Sequence, residues 1–516
     1  MNRITLLLTA ATVLGAAAPA SAQRVPKPGS SPTRPDAPLR GVDGDLLGTE
    51  STFVSAVGGQ IAPPLGGWPY ALPIGHRVYR VGPGTTGTAW RERMVVGLPD
   101  QITGPLPILV LFHAYGEEPE HTVANTEYME AARKRGWLVV APLGAHKYNF
   151  GIDYAQENTR VALEFLAQFF PIDLDRVYGV GFSMGGGWMT SFAARHTGED
   201  HLRFAALVNH TGSASVAHVH ASAVNTSLLE SPLMFGGSPL SAAFRYSCAS
   251  AMDLIAATAE VDQDTDLVRN IAHVPTRTWT CLADPLGYLI QQSEELDAQR
   301  VVRGGVSDYA ADFSAIPGLQ HSWRTLDEDA VLDWLEGHTL TVPDGSTLTK
   351  VLADRNARFH HFRVGQREAD AFTPFDWAVL PSANRAYVIR ASNLDSLRFD
   401  ARDLGLDPTA AGGLEIVFNE TDGLPASVVL EDMDPPATIH LNGVATTNWS
   451  YDPSQRALTL EYAPQGMSAI SWREIAISEM PRSCCRRDAS CSRRCVSSAS
   501  RACSFAAALC SSREAL

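Results

Sequence analysis

The chain has 516 residues, 45% of them hydrophobic and 19% charged, and a formal charge of −15 at pH 7. That length holds two or three domains with cores of their own, and the composition is that of an ordinary globular protein. The acidic balance argues against nucleic acid and anionic membrane surfaces as partners.

The first segment reads as a secretion signal. Arg3 precedes an apolar run at 4–17, and Ala20-Ser21-Ala22 offers a cleavage site before Gln23. The run is shorter than the ~20 residues of a membrane span. A signal peptide at 1–22 is therefore expected, with no transmembrane segment and a secreted or periplasmic location. Residues 23–50 are rich in Pro and Ser and read as an extended leader. Gly82, Gly84 and Gly87 match the spacing of a dinucleotide loop, but Pro83 interrupts it and no helix follows, so it reads as a plain loop.

From 51 to 340 short apolar runs alternate with helical ones. Strands are expected at 94–98, 106–112, 137–141, 176–180, 204–208, 276–282 and 308–316. Helices are expected at 126–135, 158–169, 186–196, 286–302 and 326–336. Strands that look buried on both faces, with helices between them, predict a mostly parallel sheet flanked by helices, an α/β fold. Residues 212–246, rich in Ser, Ala, Gly and Pro, read as a lid-like insertion over the sheet's edge.

Gly181-Phe182-Ser183-Met184-Gly185-Gly186-Gly187 lies between one of these strands and its helix. A sharp strand-to-helix turn with glycines two before and two after a serine exposes Oγ beside the positive end of a helix. A serine hydroxyl is a poor nucleophile at neutral pH and needs a base, which in turn needs an acid to hold its tautomer. Asp284 follows the strand at 276–282, and Pro285 opens the next helix; the same aspartate also suits a helix cap. Asp262, Asp264, Asp266 and Asp312 are its weaker rivals. His321, in a loop between the last strand and the closing helix, fits the base, whereas His201, His210, His273 and His338 lack that setting. Two main-chain N–H groups are needed for an oxyanion. Met184 supplies one. The loop His113-Ala114-Tyr115-Gly116 supplies the other, from Ala114 or Tyr115, with Tyr115 preferred.

Residues 90–340 thus resemble the α/β-hydrolase superfamily, in particular secreted esterases related to polyhydroxybutyrate depolymerases and feruloyl esterases. The elbow is also similar to that of cutinase-like polyester hydrolases, which share Ser-Met-Gly-Gly-Gly. The order Ser183, Asp284, His321 matches the superfamily's pattern. The resemblance implies a serine hydrolase that cleaves carboxylic esters, small or polymeric, through an acyl-enzyme and without a cofactor or metal. A prolyl-oligopeptidase-like serine peptidase is the alternative; the segment before the core is too short for the β-propeller such enzymes carry. A non-catalytic binding protein on the same scaffold is a third reading. His218/His220 and His360/His361 have no acidic or Cys partners placed around them, so no metal site is expected there.

Beyond 340 the texture changes to short strands at 358–364, 386–390, 396–400, 414–419, 427–431, 438–441, 457–462 and 470–477, with turns such as Asp422-Gly423 and Asn442-Gly443. They predict a C-terminal all-β, sandwich-like domain over 341–480. It holds no catalytic pattern and is expected to dock, either on the α/β domain or on an insoluble polymer or a cell surface. The tail 481–516, with seven Arg, no Lys, two acids and six Cys, is expected to be disordered. Cys248 and Cys281, in the body, are either a disulfide or two buried thiols.

Overall fold

The computed structural model describes residues 70–71, 78–81, 92–222, 225–255, 258, 260–312, 320–410, 412–419, 421–462 and 468–474. The expected signal peptide, leader, glycine loop at 82–87 and tail lie outside them. The chain divides into two compact units. One holds residues up to 192, 204–262 and 274–340; the other holds 193–203, 263–273 and the chain from 341.

The first unit is built on ten strands among the described residues: β1 (Tyr70–Ala71), β2 (Val78–Val81), β3 (Met94–Gly97), β4 (Gln101–Ile102), β5 (Leu106–Phe112), β6 (Leu138–Pro142), β7 (Ile172–Phe182), β8 (Ala206–His210), β9 (Thr276–Cys281) and β10 (Tyr309–Asp312). Eight of them form one sheet in the order β10-β9-β8-β7-β5-β6-β3-β2. Pairing from β6 through β10 is parallel, and only β3, antiparallel to both β6 and β2, runs against the rest. The central strand β5, Leu-Pro-Ile-Leu-Val-Leu-Phe, is buried along its whole length, as a strand covered on both faces must be.

Both faces are covered. On one, α2 (Tyr128–Lys134) and α9 (Glu328–Glu336) pack Tyr128, Met129, Val331, Leu332 and Leu335 onto Leu109, Leu111 and Val180. On the other, α4 (Met184–Arg195) sets Trp188 edge-on to Phe112, with ring centroids 4.9 Å apart. Between these elements lie α1 (Pro119–Asn125) and α3 (Asp153–Phe169); α8 (Gly287–Val302) follows β9. No helix is expected at α1 from the sequence. Its signals are a proline in the first turn and His121 Nδ1 accepting the Glu118 N–H.

The insertion between β8 and β9 contains α5 (Val216–Ala221), α6 (Thr226–Leu229) and α7 (Ala243–Ala249). Cys248 in α7 and Cys281 at the end of β9 are both buried and form no disulfide, which corrects the disulfide alternative. No helix among the described residues is long and apolar enough to cross a membrane.

The second unit holds two sheets that are mostly antiparallel. Their strands are β11 (Thr349–Ala353), β12 (Ala357–Phe359), β13 (Phe362–Gln366), β14 (Thr373–Leu380), β15 (Arg385–Ile389), β16 (Leu394–Asp400), β17 (Leu414–Asn419), β18 (Ala426–Glu431), β19 (Pro436–Leu441), β20 (Val444–Ala445), β21 (Trp449–Asp452), β22 (Ala457–Tyr462) and β23 (Ser468–Glu474). The orders are β11-β14-β15-β17-β23-β19-β20 and β12-β13-β16-β18-β22-β21. Their buried residues form one cluster that includes Phe359, Phe362, Phe375, Trp377 and Phe399. The single strand expected at 358–364 is a hairpin: Phe359 pairs with Phe362 across a turn in which His360 takes φ of 51°. Two segments from earlier in the chain belong to this unit. Arg195 forms a buried ion pair with Asp354 at 2.6 Å. The Asn270 side chain donates to Ala194 O and Leu352 O, at 2.9 Å each, and accepts the Leu352 N–H at 2.7 Å.

Candidate active site

Four neighbouring strands of the parallel sheet, β5, β7, β8 and β9, run into the site at their C-terminal ends. Phe112 is in register with Gly181, Phe182 with His210, and His210 with Trp279. Open parallel sheets bind ligands at this edge.

Ser183 sits between β7 and α4 with φ of 56°, a left-handed conformation costly for a residue with a Cβ. The turn is held from three sides. The Ser183 N–H donates to His210 O, and Ser183 O accepts from the N–H groups of Gly186 and Ser213, each at 3.0 Å. Two glycines make the approach possible. A Cβ on Gly181 would lie 2.3 Å from Gly185 O, and one on Gly185 would lie 2.0 Å from Phe112 O.

His321 Nε2 is 3.0 Å from Ser183 Oγ, and its Nδ1 is 2.6 Å from Asp284 Oδ2. The Asp284 side chain is fully buried, and its other oxygen accepts the Leu286 N–H at 2.8 Å. The aspartate therefore fixes the turn into α8 with one oxygen and meets the imidazole with the other. The His321 ring lies against Phe182, with centroids 4.7 Å apart. Of the rival carboxylates, Asp266 caps the turn at Leu267–Ile271 in the second unit, and Asp312 ends β10. The N–H of Asp262 donates to Asp253 O.

The loop after β5 has its amides divided. The Ala114 N–H donates to Glu117 Oε2 at 3.1 Å, and the Gly116 N–H to Lys147 O at 2.8 Å. The N–H groups of Tyr115 and Met184 meet no acceptor among the described residues. The Tyr115 ring stands 4.8 Å from that of Tyr148 and 5.6 Å from that of Phe150, and its hydroxyl donates to Asn225 Oδ1 at 2.9 Å. Burial pushes the Tyr115 hydroxyl pKa up, so it stays a donor.

Buried polar groups behind the site hold its loops, and the sequence reading had not singled them out for that. Glu92 accepts the N–H groups of Leu143, Gly144 and Ala145 at 2.7–3.1 Å, while burial raises its carboxyl pKa. His113 lies between Ala114 O and Leu143 O, its pKa lowered by burial. His210, set aside in the sequence, is buried beneath the serine, its pKa far below the usual histidine value through burial and then the neighbouring His321. Its Nε2 is 2.7 Å from Thr325 Oγ1, which donates its own proton to Ser322 O at 2.8 Å. The imidazole must therefore carry its proton on Nε2, and Nδ1 is buried without a partner among the described residues. No local pattern marks these residues; Glu92 reaches Leu143, Gly144 and Ala145, His113 reaches Leu143 and His210 reaches Thr325, all far along the chain.

Among the described residues no group of three or more His, Cys, Asp and Glu is placed to hold a metal. His220 pairs with Glu230 at 2.7 Å, and buried His360 packs on His273.

No family model matches the sequence, and no curated protein matches it. An S-formylglutathione hydrolase from Agrobacterium tumefaciens is similar in structure at 17% identity and TM-score 0.36, over 50% of this chain and 94% of that one. A ferulic acid esterase gives 15% identity and 0.34 over 50% of this chain and 96% of its own. For the dipeptidyl peptidase 4 of Porphyromonas gingivalis the figures are 15% and 0.37, over 51% of this chain and 35% of that one. Over about half its length the chain has a distant structural similarity to α/β-hydrolase esterases.

Proposed function

We propose that this chain is an exported serine hydrolase that cleaves carboxylic esters through an acyl-enzyme. The observation that carries the reading is the unbroken run Ser183 Oγ, His321 Nε2, His321 Nδ1, Asp284 Oδ2, at 3.0 and 2.6 Å, on a strained elbow. Export is supported only by the N-terminal pattern of the sequence.

In this reading His321 Nε2 takes the Ser183 proton as Oγ attacks the ester carbonyl. Asp284 keeps the imidazole proton on Nδ1 and balances the imidazolium that forms. The negative charge on the carbonyl oxygen is met by the N–H groups of Tyr115 and Met184. As the tetrahedral intermediate collapses, the bond to the alcohol oxygen breaks, and His321 gives that oxygen its proton. Water, deprotonated by the same imidazole, then attacks the acyl-enzyme. The proton returns to Ser183 Oγ, and the carboxylic acid leaves.

The test is a panel of p-nitrophenyl esters, feruloyl esters, short polyesters and peptide amides, with Ser183→Ala as control. Ester turnover lost in Ser183→Ala, with an organophosphonate label on Ser183 alone, is the expected result. Turnover confined to peptide amides favours the peptidase alternative, and activity in Ser183→Ala removes the site altogether.

A further inference from the structure

We infer that Glu117 is a positioning residue that fastens the oxyanion loop to the loop carrying the base; the inference rests on the serine-hydrolase reading of the site. One oxygen of Glu117, Oε2, accepts both the Ala114 N–H at 3.1 Å and the Trp323 Nε1–H at 3.0 Å. Ala114 lies two residues beyond β5, and Trp323 two residues beyond His321. The two loops are more than 200 residues apart in sequence, and one carboxylate oxygen joins them. The other oxygen faces Asn125 Nδ2 at 3.4 Å.

Among the described residues Glu117 makes no ion pair, so its charge is held by neutral N–H donors. Such bonds to an ionised acceptor are stronger than neutral ones. Trp323 is almost fully buried, and its ring packs 5.2 Å from Phe182, the side chain on which His321 rests at 4.7 Å. Glu117 thus fixes the base through Trp323 and Phe182. On the other side it occupies the Ala114 amide and leaves that of Tyr115 open. It touches neither Ser183 nor His321, so its effect is on geometry, where a shift of about 1 Å can cost on the order of 100-fold in rate.

Because both strong bonds fall on one oxygen, a glutamine amide can reproduce them and alanine cannot. The experiment measures the rate of Ser183 labelling by an organophosphonate probe, separated into the limiting rate and the half-saturating concentration, with the full chain. Glu117→Ala should lower the limiting rate by about 10-fold or more while half-saturation stays within about two-fold, and Glu117→Gln should recover most of the loss. Trp323→Phe, which lacks the N–H but keeps most of the ring, should lower the limiting rate in the same way. Adding it to Glu117→Ala should then cost less than it does alone. Should Glu117→Ala fail to fold, Gln and Phe carry the test. A limiting rate unchanged in Glu117→Ala or Trp323→Phe, or a Glu117→Gln variant as slow as Glu117→Ala, overturns the inference. Labelling that persists in Ser183→Ala instead removes the underlying reading of the site.

Discussion

The main-chain oxygen of His210 accepts the Ser183 N–H at 3.0 Å, while its ring holds Thr325, four residues beyond His321, at 2.7 Å. One residue at the end of β8 therefore supports the nucleophile with its backbone and the base's loop with its side chain. His210→Phe keeps the carbonyl and an aromatic ring at this position and removes the Nε2–H donor together with Nδ1. It should slow ester turnover by on the order of 10-fold. Stability should change by about 1 kcal/mol or less, because the lost hydrogen bond is offset by removing a buried nitrogen that has no partner. Steady-state kinetics and urea unfolding of the same preparation check both parts.

Acid should destabilise the fold early. His113, His210 and His360 are buried with pKa values lowered from 6.5, chiefly by burial. In the unfolded chain they take up protons below about pH 6.5; in the folded chain they do so only at lower pH. Stability is thus full above pH 6.5 and falls as pH drops below it, by up to about 1.4 kcal/mol per pH unit for each histidine. Urea midpoints at pH 8, 7, 6 and 5 should show a plateau and then a steep decline. A flat profile down to pH 5 counts against three neutral buried rings.

Asp284→Asn should separate folding from chemistry. Asparagine can still offer an oxygen to the Leu286 N–H, so the turn into α8 keeps its bond. What is lost is the carboxylate that sets the His321 tautomer, and kcat should fall by on the order of 10⁴. Asp262→Asn should stay within about two-fold, since that residue lies on a different loop. Equal kinetics for the two variants rules out Asp284 as the acid.

In the second unit, Asp354 is wholly buried. Burial alone would raise its pKa, but the Arg195 and Arg355 guanidinium groups beside it bring the pKa below the usual carboxylate value. Arg195→Ala leaves that charge under-compensated and should cost about 3–5 kcal/mol, read as a lowered urea midpoint. A loss under 1 kcal/mol means that the carboxylate finds water or another donor.

Thiol labelling gives the simplest check on the core. Peptides containing Cys248 and Cys281 should resist alkylation in native protein and both alkylate in denaturant without prior reduction. A linked pair of these peptides in non-reduced digests contradicts the structure.

Much of the site is legible in the sequence because its logic is local. Ser183 is marked by its glycines, and Asp284 and His321 by following strands in the right order. Glu117, His210 and Trp323 carry no such mark, since their partners are set by tertiary folding. Several strands escaped for the same reason. Thr373–Leu380 contains Pro374, which counts against a strand in a local reading. The hairpin at His360 turns on a histidine with positive φ where a sequence reader looks for Asn-Gly or Asp-Gly.

The Asn270 side chain, bonded to Ala194 O and Leu352, ties folding to the order of synthesis. When Asn270 leaves the ribosome, Ala194 is already outside, but Leu352 is 82 residues away. At about 5–20 residues per second that is a wait of roughly 4–16 s. During it, 193–203 and 263–273 lack the strand they are built to meet. The growing chain must carry these two segments unfinished until the C-terminal strands appear, and this is the interval in which a chaperone would have the most to hold.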